Sequence, residues 1–222
     1  MLAGGHDTLS YSSLAGLSIL RTITADRIRP FDKRRNGTIF GEGAAMLVLE
    51  ELEHARARGA PILAELLGYG VNNNAYHLTA PDKGGEGLRH VLEAALADAR
   101  VTADQLDYIN AHGTGTSYHD VAETIAIKTA LGDHAYRIPV SSIKAATGHI
   151  MGGAGALEAI VTILAMRHGV IPPTLNYGEA DPDCDLDYVP NEARAHDVNL
   201  AASVSSGIGG NNAAVVLGRG AA

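Results

Sequence analysis

Two hydrophobic periods alternate along the chain: short unbroken apolar runs, and apolar residues three and four positions apart. The run AAMLVL at 44–49 is unbroken and predicts a strand buried on both faces. Residues 62–71 predict a second strand, and a polar loop follows at 72–82. Shorter strands are expected at 106–110 and 139–143, and 200–205 with 213–217 predict a closing hairpin around GIGGNN at 207–212. Helices fall between them. One is expected around 12–23, and a charged one at 50–58 with Gly59 placed to cap it. Leu88, Val91, Leu92, Ala95, Leu96 and Ala99 form an amphipathic stripe, and 121–131 is helical until Gly132 stops it. Residues 152–166 are apolar nearly all round, so this helix is expected to be buried. Strands alternating with helices make an α/β protein, without repeats, low-complexity tracts or long linkers.

The composition narrows the core and the partners. A chain of 222 residues can bury one good core, or form one domain and part of another. With no tryptophan and two phenylalanines, that core must be aliphatic and alanine-rich. The formal charge of −8 argues against general nucleic-acid binding. Basic residues nevertheless cluster: Arg21, Arg27, Arg29, Lys33, Arg34 and Arg35 lie together beside Asp26 and Asp32. A solvated loop and a docking patch for an acidic carrier both fit that cluster. The single cysteine excludes a disulfide framework and points to a reducing compartment. The start, MLAGG, lacks the basic region of a signal peptide, and 154–166 contains Glu158 and is too short to cross a bilayer. A cytoplasmic protein with no membrane partner is expected.

Chemistry concentrates in two places. His112 sits in NAHGTGT at 110–116, and Lys144 opens KAATGH at 144–149, which ends in His149. Each run follows a predicted strand, where open α/β sheets place ligands, and glycines at 113, 115, 148, 152 and 153 let backbone approach a bound group. Structural histidines are the competing reading. Glu158, inside an apolar helix, needs a partner, and Lys144 is the candidate. The pair is either structural or fixes the lysine's charge beside the histidines. Asp120 and Glu123 open a helix, where negative charge is favourable for its own sake. Cys184 lies among the four aspartates of the stretch at 181–187, which raise a thiol pKa, so it is not expected to be a nucleophile. Metal-ligand spacing, a Walker loop and a dinucleotide fingerprint are absent from the sequence.

Taken together, RPFDKRRNG at 29–37, GEGAA at 41–45, NAHGTGT at 110–116, SSIK at 141–144, GH at 148–149, GAGALE at 153–158, IPPTLN at 171–176 and GIGGNNA at 207–213 resemble one family. It is the C-terminal half of a β-ketoacyl-acyl carrier protein synthase of the elongating, type II fatty-acid and polyketide kind, matched in order from Ala3 to Leu217. The resemblance implies an α/β, thiolase-like fold of two similar βαβαβ halves. Residues 1–60 would end the N-terminal half, and 61–222 would form the complete C-terminal half. It also implies a Cys-His-His site for decarboxylative condensation. There His112 and His149 would hydrogen-bond the malonyl thioester carbonyl, and Lys144 with Glu158 would keep the electrostatics in order, with Asp120 and Glu123 in support. Thr114 and Thr116 match contacts to the phosphopantetheine arm. Gly207, Ile208 and Gly209 match the turn beside the cysteine, and Arg29, Lys33, Arg34 and His77 are the candidate docking residues for the carrier. No cofactor or metal is expected on the chain itself; the phosphopantetheine of acyl carrier protein arrives as substrate.

Two departures qualify the resemblance. Ile208 stands where the family has a gating phenylalanine, so chain length does not transfer. The family's cysteine lies a few tens of residues before the AGG that is here at 3–5. The leading expectation is therefore a split ketosynthase, an acyltransferase whose cysteine comes from an N-terminal half on a partner chain, as a heterodimer or a dimer of heterodimers. A non-catalytic subunit like a chain-length factor, a malonyl-thioester decarboxylase and a truncated chain are the alternatives.

Overall fold

A computed structural model describes residues 1–220. In chain order, β1 (Leu2–Asp7), α1 (Tyr11–Ile19), β2 (Gly43–Val48) and α2 (Leu52–Ala57) precede the long strand β3 (Ala64–Asn73). Then come α3 (Glu86–Ala99), β4 (Tyr108–Asn110), α4 (His119–Leu131), β5 (Val140–Ser141), α5 (Lys144–Thr147) and α6 (Ala154–His168). The short strands β6 (Val170–Ile171) and β7 (Arg194–Ala195) lead to the hairpin β8 (Leu200–Gly207) and β9 (Asn211–Arg219). The α/β expectation holds, and both predicted strands of the hairpin form.

The main sheet is ordered β3-β9-β8-β4-β5. β3, β9 and β8 run antiparallel, whereas β4 lies parallel to both β8 and β5. α3 packs so close to β3 that only glycine fits beneath it. A Cβ on Gly68 would lie 2.3 Å from Ala99 N, and one on Gly70 2.3 Å from Val91 O. The larger core joins α3 and α4 to the sheet through Leu88, Val91, Leu92, Leu106 and Ile127. A second core on Tyr108, Met166, Ile171, Val198 and Leu217 includes the buried face of α6. Most of this packing is aliphatic, as the composition suggests, but Tyr108, Tyr188 and Phe31 are fully buried with it. The short strand β4 and its edge neighbour β5 are fully buried, and the motif residues leave their C-terminal ends.

Three expectations need correction. β2 is not buried on both faces: it pairs only with β1, and Met46 and Val48 are 58% and 71% exposed. α6 covers one side of that ribbon and leaves the other open. α6 itself is not covered all round. Ala154, Glu158, Ala159, Thr162, Ala165 and Met166 are buried, whereas Leu164 is 42% exposed. An apolar run reports that cover suits it, not that cover is present. The first helix is also shorter than 12–23, ending before Arg21, which takes φ +55°. Among the described residues no helix is long and apolar enough to cross a membrane.

Candidate active site

After β4 the backbone turns sharply at Gly113 (φ +38°) and Gly115 (φ +74°) before entering α4. A Cβ on Gly113 would sit 2.5 Å from the Ser142 side chain, so the turn tolerates no larger residue there. Two carboxylates of α4 hold this turn. Glu123 Oε1 accepts the His112 N–H at 2.7 Å, and Oε2 accepts the Gly113 N–H at 2.8 Å. Asp120 accepts the Gly115 N–H and, from the 29–37 segment, the Phe31 N–H at 2.8 Å. Both acids lie in the opening of the helix, as the sequence suggests, but a favourable dipole is not their main role. They are fully buried and serve as acceptors for a loop that would otherwise leave donors unpaired. Burial pushes Asp120 up to about 6 and Glu123 up to about 8, against the pull of those same N–H groups.

Three histidine rings meet above the turn. His112 faces His149 edge-on with ring centroids 5.3 Å apart, and meets His119 edge-on at 4.8 Å. Lys144, fully buried at the start of α5, donates to the His112 carbonyl and lies 3.3 Å from His112 Nδ1. Its third contact is with Glu158 of α6, the pairing expected from the sequence. Ser205 Oγ, near the end of β8, donates to the other Glu158 oxygen at 3.3 Å. Burial raises the Glu158 carboxyl above its ordinary range, and contact with Lys144 works against that rise. His112 is held well below the usual imidazole range, first by burial and then by the neighbouring Lys144. The same two causes bring His149 down to about 3 and His119 down to about 4. All three rings are therefore uncharged at neutral pH. Because a lysine ammonium can only donate, His112 Nδ1 facing Lys144 is the accepting nitrogen, which leaves the ring proton on Nε2.

His149 is fixed from a different direction. Its N–H donates to Ile39 O at 2.8 Å, and Gly41 N donates to His149 O at 3.1 Å. Gly148 (φ +75°) permits this contact, since a Cβ there would lie 2.7 Å from Gly41 N. The 41–45 and 148–149 runs are thus two sides of one joint.

The remaining site residues distribute as follows. Thr114 and Thr116 lie side by side, their hydroxyls 3.0 Å apart, on the turn itself. Gly207 ends β8, and Ile208 and Gly209 lie in the β8–β9 turn, where Ile208 is half exposed and Gly209 N donates to Leu78 O. Arg29 pairs with Asp26, Lys33 with Glu179 at 3.1 Å, and Arg34 with both Asp32 and Glu179. Lys33 and Arg34 remain more than half exposed, whereas Arg35 is buried against Asp181 and the carbonyls of Thr116 and Ser117. His77 stands apart from that cluster, its Nδ1 accepting the N–H groups of Thr79 and Ala80. Cys184 is buried and its thiol is pushed up to about 12, chiefly by burial; the aspartates that the sequence points to add less. His119 was not anticipated, although it lies seven residues after His112 and four before Glu123. No cluster of three or more His, Cys, Asp or Glu among the described residues could hold a metal.

Family models for the β-ketoacyl synthase C-terminal domain and N-terminal domain match residues 63–178 and 1–55. The chain is 48% identical over 219 residues to 3-oxoacyl-[acyl-carrier-protein] synthase 2 of Synechocystis sp., covering 96% of this chain and 53% of that protein. It superposes on the ishigamide ketosynthase/chain length factor with a TM-score of 0.94 at 46% identity, covering 99% of this chain and 54% of the other. A type II polyketide synthase acyl carrier protein in complex with its ketosynthase, bound to the hexaketide, gives 0.96 at 37% identity, covering 100% and 56%. These neighbours share the thiolase-like fold. The chain spans about half the length of the relatives it matches.

Proposed function

Since this chain belongs to the β-ketoacyl synthase family, we propose that it supplies the malonyl-activating half of a decarboxylative condensing site. The observation that carries this reading is the buried cluster of His112, His149 and Lys144, in which both rings are uncharged and His112 presents Nε2–H. A malonyl thioester bound with its carbonyl oxygen toward these rings would accept hydrogen bonds from them. As the carboxylate leaves as CO₂, the electron pair of the broken C–C bond moves into the thioester as an enolate. The two donors stabilise the charge developing on oxygen. The enolate carbon then attacks an acyl thioester held on a cysteine, a C–C bond forms and the thiolate is expelled. Cys184 does not serve as that cysteine, because it is buried and its thiol stays protonated.

We infer that the acyl-bearing cysteine lies on an N-terminal ketosynthase half outside these residues, carried by a partner chain. The exposed apolar face of β1 and β2, with Leu2, Met46 and Val48, supports such a partner. Acyl carrier protein is the expected donor of the malonyl group. On this reading the paired hydroxyls of Thr114 and Thr116 contact its phosphopantetheine, the half-exposed Ile208 shapes the acyl entrance, and the exposed Lys33 and Arg34 meet its acidic surface. The test is reconstitution with a cysteine-bearing half and malonyl-acyl carrier protein, following CO₂ release and β-ketoacyl product. His112→Ala and His149→Ala should each lower the rate about 100-fold or more. An unchanged rate in His112→Ala would remove the reading.

One neighbour pairs a ketosynthase with a chain length factor, which supports a second reading as the non-catalytic member of such a pair. In that case product length would change on replacing Ile208, while the rate would be indifferent to His112 and His149.

A further inference from the structure

We propose that His119 is a positioning residue for His112: its imidazole forms one wall of the pocket around the His112 ring, standing edge-on to it and keeping water from that side. The proposal deepens the condensing-site reading, since it takes His112 as a reacting group.

The geometry gives three reasons. The His119 and His112 ring centroids are 4.8 Å apart at 63°, closer than those of His112 and His149. Such edge-to-face contact fixes the rotation of both rings. The His119 side chain is only 15% exposed, yet its Nδ1 has no hydrogen-bond partner among the described residues. The nearest carboxylate oxygen, Glu123 Oε2, is 3.8 Å away, beyond direct hydrogen bonding. Burial leaves that Nδ1 uncompensated, so the contribution of the ring lies in the surface it presents. Finally, His119 and Glu123 lie one turn apart on α4, and Glu123 is the residue that holds the His112 and Gly113 N–H groups. One helix therefore grips His112 by its backbone and by its ring.

The groups facing His112 set the sign of the expected effect. They are Lys144 of α5 with its partner Glu158 of α6, His149 after α5, and His119 and Glu123 of α4; Asp82 acts on His119 from the loop before α3. Burial is the largest reason that His112 resists protonation, and any positive charge on Lys144, His119 or His149 adds to it. Removing the His119 ring admits water to that side of His112 and so lifts part of the burial that resists its protonation. That makes His112 easier to protonate, which would cancel its accepting Nδ1.

The experiment is a histidine ¹⁵N and ¹³C NMR titration of the full chain. Wild type, His119→Ala and His119→Phe are compared, alongside CO₂ release from malonyl-N-acetylcysteamine at pH 6 and pH 8. His119→Ala should raise the proton affinity of His112 about tenfold or more, one unit of pKa, and slow CO₂ release at both pH values by freeing the ring's rotation. His119→Phe, which keeps the ring edge, should return the His112 titration to within about threefold of wild type. An identical His112 titration in His119→Ala overturns the proposal, as does a His119→Phe variant that behaves like His119→Ala. A rate loss equal at both pH values with an unmoved titration is general damage and also overturns it. The titration needs no turnover, so this proposal stands or falls on the NMR, whereas the condensing reading stands or falls on the reconstituted assembly.

Discussion

Lys144 Nζ lies 3.3 Å from His112 Nδ1 and also binds the His112 carbonyl, so one buried side chain fixes both the ring and the backbone of the same histidine. Its charge is balanced by Glu158 from a helix on the other side of the site. Lys144→Met should therefore have two separable effects. Leaving Glu158 buried without its partner should destabilise the chain by about 3–5 kcal/mol in urea unfolding. The double variant Lys144→Met/Glu158→Leu should regain most of that stability. It should still release CO₂ from a malonyl thioester more slowly than wild type, because nothing then donates to Nδ1. Recovery of both properties would reduce the pair to a structural one.

Glu123 is the acceptor on which the histidine turn closes, and its proton has a predictable consequence. Its carboxyl titrates near 8 in the fold against an ordinary value of 4.5. Between those values the folded chain binds a proton that the unfolded chain has released. The contribution of this group to stability therefore falls as pH rises from about 4.5 to 8. Glu123→Gln abolishes that slope but leaves one of the His112 and Gly113 N–H groups without an acceptor, at a cost of about 1–3 kcal/mol. Urea midpoints at pH 5 and pH 8 should show the variant well below wild type at pH 5, and closer to it at pH 8.

His149 gives the opposite slope. Its ring titrates near 3 in the fold against 6.5 ordinarily, so between those values the unfolded chain holds the extra proton. Stability from this group is present above pH 6.5 and declines as pH falls toward 3. His149→Gln lacks the effect. Relative to wild type it should gain about 1 kcal/mol for each pH unit below 6.5, somewhat less than the full value because the ring is partly exposed. Equal pH dependence in the two proteins, measured by denaturant unfolding, would mean that the ring is not held neutral.

How much of this was legible in the sequence differs by residue. The Lys144–Glu158 contact was readable because a carboxylate in an apolar helix demands a cation, and Lys144 stands one loop before that helix. The β8–β9 hairpin was readable from its glycine turn between two apolar runs. The exposure of Met46, Val48 and Leu164 was not, since periodicity names the face that prefers cover without naming what covers it. Nor was His119. Its place beside His112 depends on the backbone reversing at Gly113 and Gly115, which in turn depends on hydrogen bonds from Glu123 and Asp120. A turn held by side chains leaves no periodic trace.

Cys184 offers the sharpest check on where the acyl group can be held. Burial, more than its neighbouring aspartates, pushes this thiol up to about 12. At pH 8 only about one molecule in ten thousand would then carry the thiolate, the form that attacks disulfides and thioesters. The folded chain should leave Ellman's reagent unreacted over an hour at pH 8, and release one equivalent of thionitrobenzoate once urea unfolds it. Cys184→Ala should likewise leave malonyl-thioester CO₂ release by the reconstituted assembly unchanged within about twofold, because the thiol lies in the core with Leu186 and Tyr188 rather than beside His112. Rapid labelling of the native thiol, or capture of an acyl group on it, would place the nucleophile within this chain. The need for a cysteine on a partner would then disappear.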